Sequence, residues 1–155
     1  MENGPALIDG SSRSLGHRHS SESPGTPCDV CLSLTASAEQ VVLVRSVVGA
    51  LAVSLGFRHR GVDDVRLAVT EACTNVVRHA YAGADTDGRL DVVASGARGG
   101  LTVTVADRGC GLRPRAETGP GGLGLSLMAA LAQSVKIEET DGRGTTVRLS
   151  FAVAE

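Results

Sequence analysis

The most regular pattern of hydrophobic and polar positions in the chain runs from Val65 to Tyr81. Polar residues at successive steps of four form one line of a helix, at Glu71, Asn75 and His79. Apolar residues form another line, at Val65, Val69, Ala72, Cys73, Val76 and Ala80. The pattern predicts an amphipathic helix that buries its apolar stripe against a core.

The polar line of this helix has two interpretations. A carboxylate such as that of Glu71 can accept a proton or orient a nucleophile, and the carboxamide oxygen of Asn75 can bind a hard cation such as Mg²⁺. The same side chains also suit a helix face that is merely solvated. The row by itself does not decide between them, so the rest of the chain must be considered.

Two apolar segments precede this helix. The range Val30–Leu34 is predicted to be a short strand, and Ser37 with Gln40 three residues later resembles a capping box that opens a first helix. That helix is expected to end near Gly56. A loop then leads to Asp63, which we predict as the cap of the helix that carries Glu71.

The second half of the chain is predicted to consist mainly of strands. Two hairpins are predicted, separated by a helix that opens at a glycine cluster. The ranges are Leu90–Ala97, Leu101–Asp107, a helix from Gly121 to about Gln133, Lys136–Thr140 and Thr145–Val153. This order predicts an α+β fold, a two-layer sandwich with a mixed, mostly antiparallel sheet and helices on one face.

Asp107 stands out at the end of its predicted strand. Leu101, Val103 and Val105 alternate with polar residues, and Asp107 continues the apolar phase. Its carboxylate should therefore point toward the helix layer, where it needs a partner because an unpaired buried charge is costly. The glycines that follow would allow a ligand to approach the backbone closely.

Length, composition and charge narrow the range of functions. The chain has 155 residues, and a formal net charge of -2 predicts no direct binding of nucleic acid or anionic membrane. No apolar run reaches the length of a membrane span and no secretory signal is visible, so the cytoplasm is the expected location. Residues 1–27 are rich in Gly, Ser and Pro and are expected to be a disordered tail. The four cysteines are expected to be free thiols.

Several common nucleotide and hydrolase signatures are missing. The only lysine is Lys136, so no P-loop motif is present. Neither glycine cluster completes a dinucleotide fingerprint, since Pro114 and Leu127 stand where the third glycine would be. Ser126 is not in the G-x-S-x-G turn of a serine hydrolase.

The remaining motifs together resemble a known superfamily, the GHKL or Bergerat-fold ATPases. Glu71-x-x-x-Asn75, followed by His-Ala-Tyr, looks like their N box, and Asp107-x-Gly109-x-Gly111 looks like their D-x-G-x-G box. The segment 122–125, Gly-Leu-Gly-Leu, resembles the second glycine box, and Gly144-Thr145 the final G-T. The resemblance extends over residues 28–155 and is closest to the anti-sigma-factor serine kinases of bacteria.

The resemblance implies a role for each matched residue. Glu71 would be the catalytic base, and Asn75 would hold the Mg²⁺ that bridges the phosphates of ATP. Asp107 would accept a hydrogen bond from the adenine amino group. Contacts with other parts of the nucleotide would come from His79, Gly109, Gly111, Gly122, Leu123, Gly124, Leu125 and Thr145.

The same resemblance implies protein partners. A kinase of this type would phosphorylate an anti-anti-sigma factor, sequester a sigma factor and pair as a homodimer through its first strand and helix. The alternative is a nucleotide-gated regulatory binding protein without significant kinase activity. A stand-alone ATPase is the third possibility.

Overall fold

A computed structural model describes residues 29–81, 88–97, 99–110, 123–139 and 144–153. Within these ranges the helices and strands follow one another in the predicted order. The elements are β1 (Val30–Thr35), α1 (Ala38–Ser54), α2 (His59–Asn75), a π-helical turn (Val76–Ala80), β2 (Arg89–Ala97), β3 (Gly100–Asp107), α3 (Leu123–Leu131), β4 (Ser134–Glu139) and β5 (Thr145–Ala152).

The five strands form one sheet in the order β1-β2-β3-β5-β4. Every pairing in it is antiparallel. One row of paired positions crosses the whole sheet and is apolar throughout, at Leu32, Val92, Val105, Val147 and Ile137. Alternate residues of each strand thus supply the single face that is covered.

The core lies between this face and the helices. Helix α1 buries Val41, Val44, Val48 and Ala52, and α2 buries the stripe predicted from its sequence, extended upstream to Val62. In β3 the pattern alternates as expected, with Leu101, Val103, Val105 and Asp107 buried. The predicted two-layer α+β fold with helices on one face is confirmed.

The start of α2 differs from the prediction. The helix begins at His59 with Arg58 as its N-cap, so Asp63 is inside the helix and does not cap it. The reason is that Val62 is buried and extends the apolar stripe by one turn. Asp63 instead lies 3.8 Å from the Nε2 atom of His59 and 3.7 Å from a guanidinium nitrogen of Arg66.

The end of the same helix widens into a π-helical turn over Val76–Ala80. A turn of this kind contains one extra residue and often occurs at functional sites. Glu71 and Asn75 remain one regular turn apart in α2, whereas His79 belongs to the wider turn and is exposed. The step of four predicts that the three polar residues form one line along a regular helix. The wider turn displaces His79 from that line, so this prediction was wrong for His79.

The cysteines also differ in part from the prediction. Cys31 is disulfide-bonded, so the expectation of a free thiol was wrong there. That expectation rested on the presumed compartment, whereas a disulfide depends on how closely two sulfur atoms approach. Cys73 and Cys110 remain thiols, and burial raises the pKa of the Cys73 thiol to about 12.

No helix within the described ranges is both long enough and apolar enough to cross a membrane. The N-terminal segment 1–27, predicted to be a disordered tail, lies outside those ranges.

Candidate active site

Helix α3 brings its first turn against the polar side chains of α2. A Cβ atom added at Gly124 would lie 3.1 Å from Oε2 of Glu71 and 3.7 Å from both terminal atoms of the Asn75 carboxamide. Glu71 and Asn75 are half-buried, and Gly124 is buried. The fold therefore places the carboxylate, the carboxamide and the start of a helix in one place, although Gly124 is 49 to 53 residues away along the chain.

These three groups have complementary chemistry. The carboxylate of Glu71 can accept a proton, and the carboxamide oxygen of Asn75 can donate a lone pair to a hard cation. In the first turn of a helix the backbone N–H groups have no acceptor one turn earlier in the helix, and the helix dipole is positive there, so this end of α3 favours an anion. Because residue 124 is a glycine, the side chains of Glu71 and Asn75 can lie close to the backbone of this turn.

The donor set fits a Mg²⁺ ion that arrives with phosphate groups. Within the described ranges, no cluster of three or more His, Cys, Asp or Glu side chains is arranged to hold a metal. Mg²⁺ commonly takes only one or two protein oxygens and obtains the rest from phosphates and water. A single carboxamide oxygen from Asn75 is therefore a sufficient protein contribution.

Asp107 forms a second part of the site at the end of β3. The residue is only 8% exposed, and its Oδ1 atom accepts a hydrogen bond of 2.8 Å from the backbone N–H of Gly109. Burial raises the pKa of this carboxyl, although hydrogen bonds from the N–H groups of Gly109 and Thr145 act in the opposite direction. Two backbone donors thus supply the partners that the sequence required for this inward carboxylate.

The loop after Asp107 is fastened to the end of the π-helical turn. The N–H of Cys110 donates to the carbonyl of Ala80 at 2.9 Å, and a Cβ atom at Gly109 would lie 2.0 Å from the same carbonyl oxygen. Glycine is needed there because any side chain would collide with the backbone. The loop after Asp107 is therefore joined directly to the end of the helix that carries Glu71 and Asn75.

The other predicted site residues have more varied positions. Thr145 opens β5 beside Asp107, and Leu125 is 47% exposed in the first turn of α3. Leu123 is the first residue of that helix. The carbonyl of exposed His79 accepts a weak hydrogen bond from the Cys110 thiol at 3.5 Å. Gly111 and Gly122 lie outside the described residues, so their roles stay predictions.

Tyr81 is a contributor to which the sequence pattern assigned no role. Its hydroxyl donates to the carbonyl of Arg89 at 2.6 Å and accepts from the N–H of Arg108 at 3.0 Å. Its only signal in the sequence was its position at the end of the His-Ala-Tyr segment.

Gly144 supports the site from the start of β5 and offers a test. Its φ angle is +93°, and an added Cβ would lie 2.1 Å from the carbonyl oxygen of Asp107. We expect Gly144→Ala to lower the free energy of unfolding by more than the roughly 1–2 kcal/mol of a left-handed backbone alone. Urea unfolding measures this loss.

The matched control for that change is Gly56→Ala. Gly56 also has a positive φ, of +87°, but an added Cβ would have no neighbour within 4 Å among the described residues. Gly56→Ala should lower the free energy of unfolding only by the roughly 1–2 kcal/mol that a left-handed backbone costs. Equal losses for the two variants would contradict a close contact between Gly144 and Asp107.

Gly124→Ala provides a second test. The methyl group would displace the flexible carboxylate of Glu71 by a few tenths of an ångström, while alanine favours the helix over glycine by about 1 kcal/mol. For the catalytic role that the motifs imply for Glu71, we expect an unchanged or higher melting temperature with roughly tenfold slower phosphoryl transfer, because small displacements of a catalytic group are costly. A rate of phosphoryl transfer equal to that of the wild type would contradict the close contact between Gly124 and Glu71.

Ala130→Gly serves as its control. Ala130 is an exposed residue of α3, so this change alters helix propensity without adding an atom near Glu71. We expect a lower melting temperature and an unchanged rate per folded molecule.

Comparison with known proteins now decides the family. Residues 34–151 match the model of the histidine kinase-like ATPase domain. The chain belongs to this family. The resemblance to the GHKL superfamily inferred from its four motifs is therefore confirmed.

Relatives of this family member are bacterial proteins. It is 32% identical over 127 residues to the serine-protein kinase RsbW of Bacillus pumilus, covering 72% of this chain and 78% of the relative. It is 33% identical over 122 residues to the RsbW of Bacillus licheniformis, covering 69% and 76% respectively.

Two solved structures resemble its fold. The RsbU and RsbW domains of a Mycobacterium tuberculosis protein give a TM-score of 0.63 at 26% identity, covering 81% of this chain and 33% of that longer one. The SiaB-SiaC complex from Pseudomonas aeruginosa gives a TM-score of 0.58 at 15% identity, covering 80% of this chain and 91% of the other. The latter is a likeness of fold alone.

Proposed function

We propose that this chain is an ATP-dependent serine/threonine protein kinase that regulates transcription by binding other proteins. The observation that carries the proposal is the close contact of Gly124, at the start of α3, with the side chains of Glu71 and Asn75. This arrangement supports the proposal because a carboxylate that can accept a proton lies beside a carboxamide that can bind a cation and beside the first turn of a helix, which suits phosphate. The name serine-protein kinase carried by the Bacillus relatives supports the same activity.

The buried carboxylate of Asp107 would select the nucleotide. Its two backbone partners hold it in place. A carboxylate oxygen has several lone-pair directions, so it can also accept the N–H of an adenine amino group. A guanine would present a carbonyl oxygen at that point and would be repelled. We therefore propose preference for ATP over GTP.

The first turn of α3 would hold the phosphate chain, and Asn75 would hold the Mg²⁺ ion. Bound ATP would supply the γ-phosphoryl group, and a Mg²⁺ ion held by Asn75 would offset the negative charge of the phosphates. Glu71 accepts the proton of a serine or threonine hydroxyl as that oxygen bonds to the γ-phosphorus and the bond to the β-phosphate oxygen breaks. Phosphoryl transfer depends mostly on positioning and charge stabilisation, so few side chains are needed.

The partners that we propose are an anti-anti-sigma factor as the substrate and a sigma factor as the protein sequestered. The resemblance of the N box to that of anti-sigma-factor serine kinases supports this assignment. We further propose a homodimer formed through β1 and α1. In support, β1 is an edge strand, and α1 exposes apolar side chains, among them Val42 at 64% and Val53 at 58%.

Two binding measurements test this proposal. Calorimetric titration should show binding of ATP in Mg²⁺, weaker binding in EDTA and weaker binding of GTP. Gel filtration with each purified sigma factor of the source organism, in the presence of Mg-ATP, should show one stable complex. Binding of ATP without a complex with any sigma factor would contradict the proposed partner but leave the kinase assignment standing.

A further inference from the structure

Tyr81 joins three parts of the fold that are distant along the chain. It follows the π-helical turn, and its hydroxyl contacts both the first residue of β2 and the loop after β3. The hydroxyl donates to the carbonyl of Arg89 at 2.6 Å and accepts from the N–H of Arg108 at 3.0 Å. Both capacities of the phenol, one donor and one acceptor, are thus used on backbone groups.

The loop that Tyr81 contacts is the one that follows Asp107. Ala80 accepts from the N–H of Cys110 at 2.9 Å, and Tyr81 accepts from the N–H of Arg108. The residue between these two points is Gly109, whose N–H donates to the carboxylate of Asp107 at 2.8 Å. The dipeptide Ala80-Tyr81 therefore fixes the backbone on both sides of the donor that orients Asp107.

The position of the hydroxyl is in turn set by its ring. The ring lies against Gly88, where an added Cβ would be only 2.1 Å from a ring carbon. The side chain of Arg108 offers a weaker restraint on the loop, since its Nε lies 3.9 Å from Oδ2 of Asp91 and the side chain is 74% exposed. An exposed ion pair of that length contributes little. The hydrogen bond to Tyr81 is thus the stronger restraint on Arg108.

We propose that Tyr81 is a positioning residue for nucleotide recognition. It holds the backbone around Gly109 so that the carboxylate of Asp107 faces the adenine amino group. This inference rests on the proposed role of Asp107 in binding ATP. In this proposal Tyr81 acts through the backbone of Arg108 and Gly109.

Tyr81→Phe tests the inference because it removes the hydroxyl and keeps the ring. Of the two hydrogen bonds that this change removes, the one from Arg108 restrains the loop, so we expect ATP affinity to fall about three- to tenfold, the effect of one lost hydrogen bond. The KM for ATP should rise with kcat unchanged, since the loop acts on binding equally in the ground and transition states. An affinity equal to that of the wild type would overturn the inference.

Thr70→Val is the matched control. Thr70 is a part-buried residue of α2, and its hydroxyl donates to the carbonyl of Arg66 at 2.7 Å. It should change ATP affinity no more than experimental error, even if both variants lose similar stability. An equal loss of affinity in the two variants would show a general structural effect and would also overturn the inference.

A double-mutant cycle with Asp107→Asn separates the inference from the proposed function. If Tyr81 acts through Asp107, its loss should cost less in the Asp107→Asn background than in the wild type. Additive losses would overturn the inference while leaving ATP binding established. Failure of the wild type to bind ATP would instead overturn the proposed function.

Amide hydrogen exchange supplies a readout that needs no nucleotide. In Tyr81→Phe we expect faster exchange at Arg108 and Gly109, with the amides of β3 unchanged. Unchanged exchange at both residues would overturn the inference whatever the titrations show.

Discussion

Glu71→Gln is expected to slow phosphoryl transfer by roughly 10²- to 10⁴-fold, the usual contribution of a general base. The carboxamide has nearly the same shape as the carboxylate but cannot accept the proton. Binding of Mg-ATP should remain close to that of the wild type, because the proposed nucleotide contacts come from other residues. Single-turnover transfer to a protein substrate, combined with calorimetric titration of ATP, measures both quantities.

The control for this prediction is Asp63→Asn. Asp63 is an exposed carboxylate of α2 that lies near His59 and Arg66, so its replacement removes an acid about two helical turns before Glu71. It should leave the rate unchanged. If Glu71→Gln transfers phosphate at the rate of the wild type, Glu71 is not the base.

Asp107→Asn is expected to weaken ATP binding by about one to two orders of magnitude. A hydrogen bond to a charged group contributes roughly 1.5–3 kcal/mol, and the asparagine amide can also turn an N–H toward the adenine amino group. Isothermal titration of the purified variant with Mg-ATP measures the loss.

Asp91→Asn is the matched control for Asp107→Asn. Asp91 is a carboxylate of the neighbouring strand, paired in register with Ala106, and it contacts Ser33 and Arg89 on the exposed side of the sheet. Its ion pair with the exposed Arg108 side chain, at 3.9 Å, contributes little. Its replacement should change ATP affinity little. Unchanged affinity in Asp107→Asn would contradict the adenine assignment.

The raised pKa of Asp107 adds a pH dependence that needs no nucleotide. Burial is the main cause of that rise, so the folded chain retains the proton to higher pH than the unfolded chain. Its contribution to stability is fully present below the ordinary carboxyl pKa of about 4 and is lost as the pH rises through the raised value. Urea unfolding across this window should therefore show the wild type losing stability relative to Asp107→Asn as the pH increases.

The parts of this fold that the sequence predicts correctly are those that depend on the spacing of apolar residues within one helix or strand. The alternation through Leu101, Val103 and Val105 predicted both the buried face of β3 and the inward carboxylate of Asp107, and the structure confirms them. The helical spacing from Val65 to Ala80 likewise predicted the buried stripe of α2. Such patterns indicate which face of a helix or strand is buried, and they depend only on residues within that helix or strand.

The parts that were not predictable depend on long-range fit. His59 and Arg60 are polar and give no apolar signal, so the sequence predicts a loop where the structure has the first turn of α2. The π-helical turn and the hydrogen bond between Tyr81 and Arg108, 27 residues apart, arise only when helix and sheet are docked. The motifs predicted which residues would matter, whereas the contact of Gly124 with Glu71 and Asn75 required the structure.

Transfer of labelled γ-phosphate from Mg-ATP into the proteins of the source organism's lysate tests the central claim most directly. The purified wild type should label a small protein on serine or threonine, with an acid-stable bond that mass spectrometry can locate. Glu71→Gln should not label it, although it binds ATP. Labelling of equal strength by both proteins, or no labelled protein at all while ATP binds, would contradict the assignment of this site as a protein kinase.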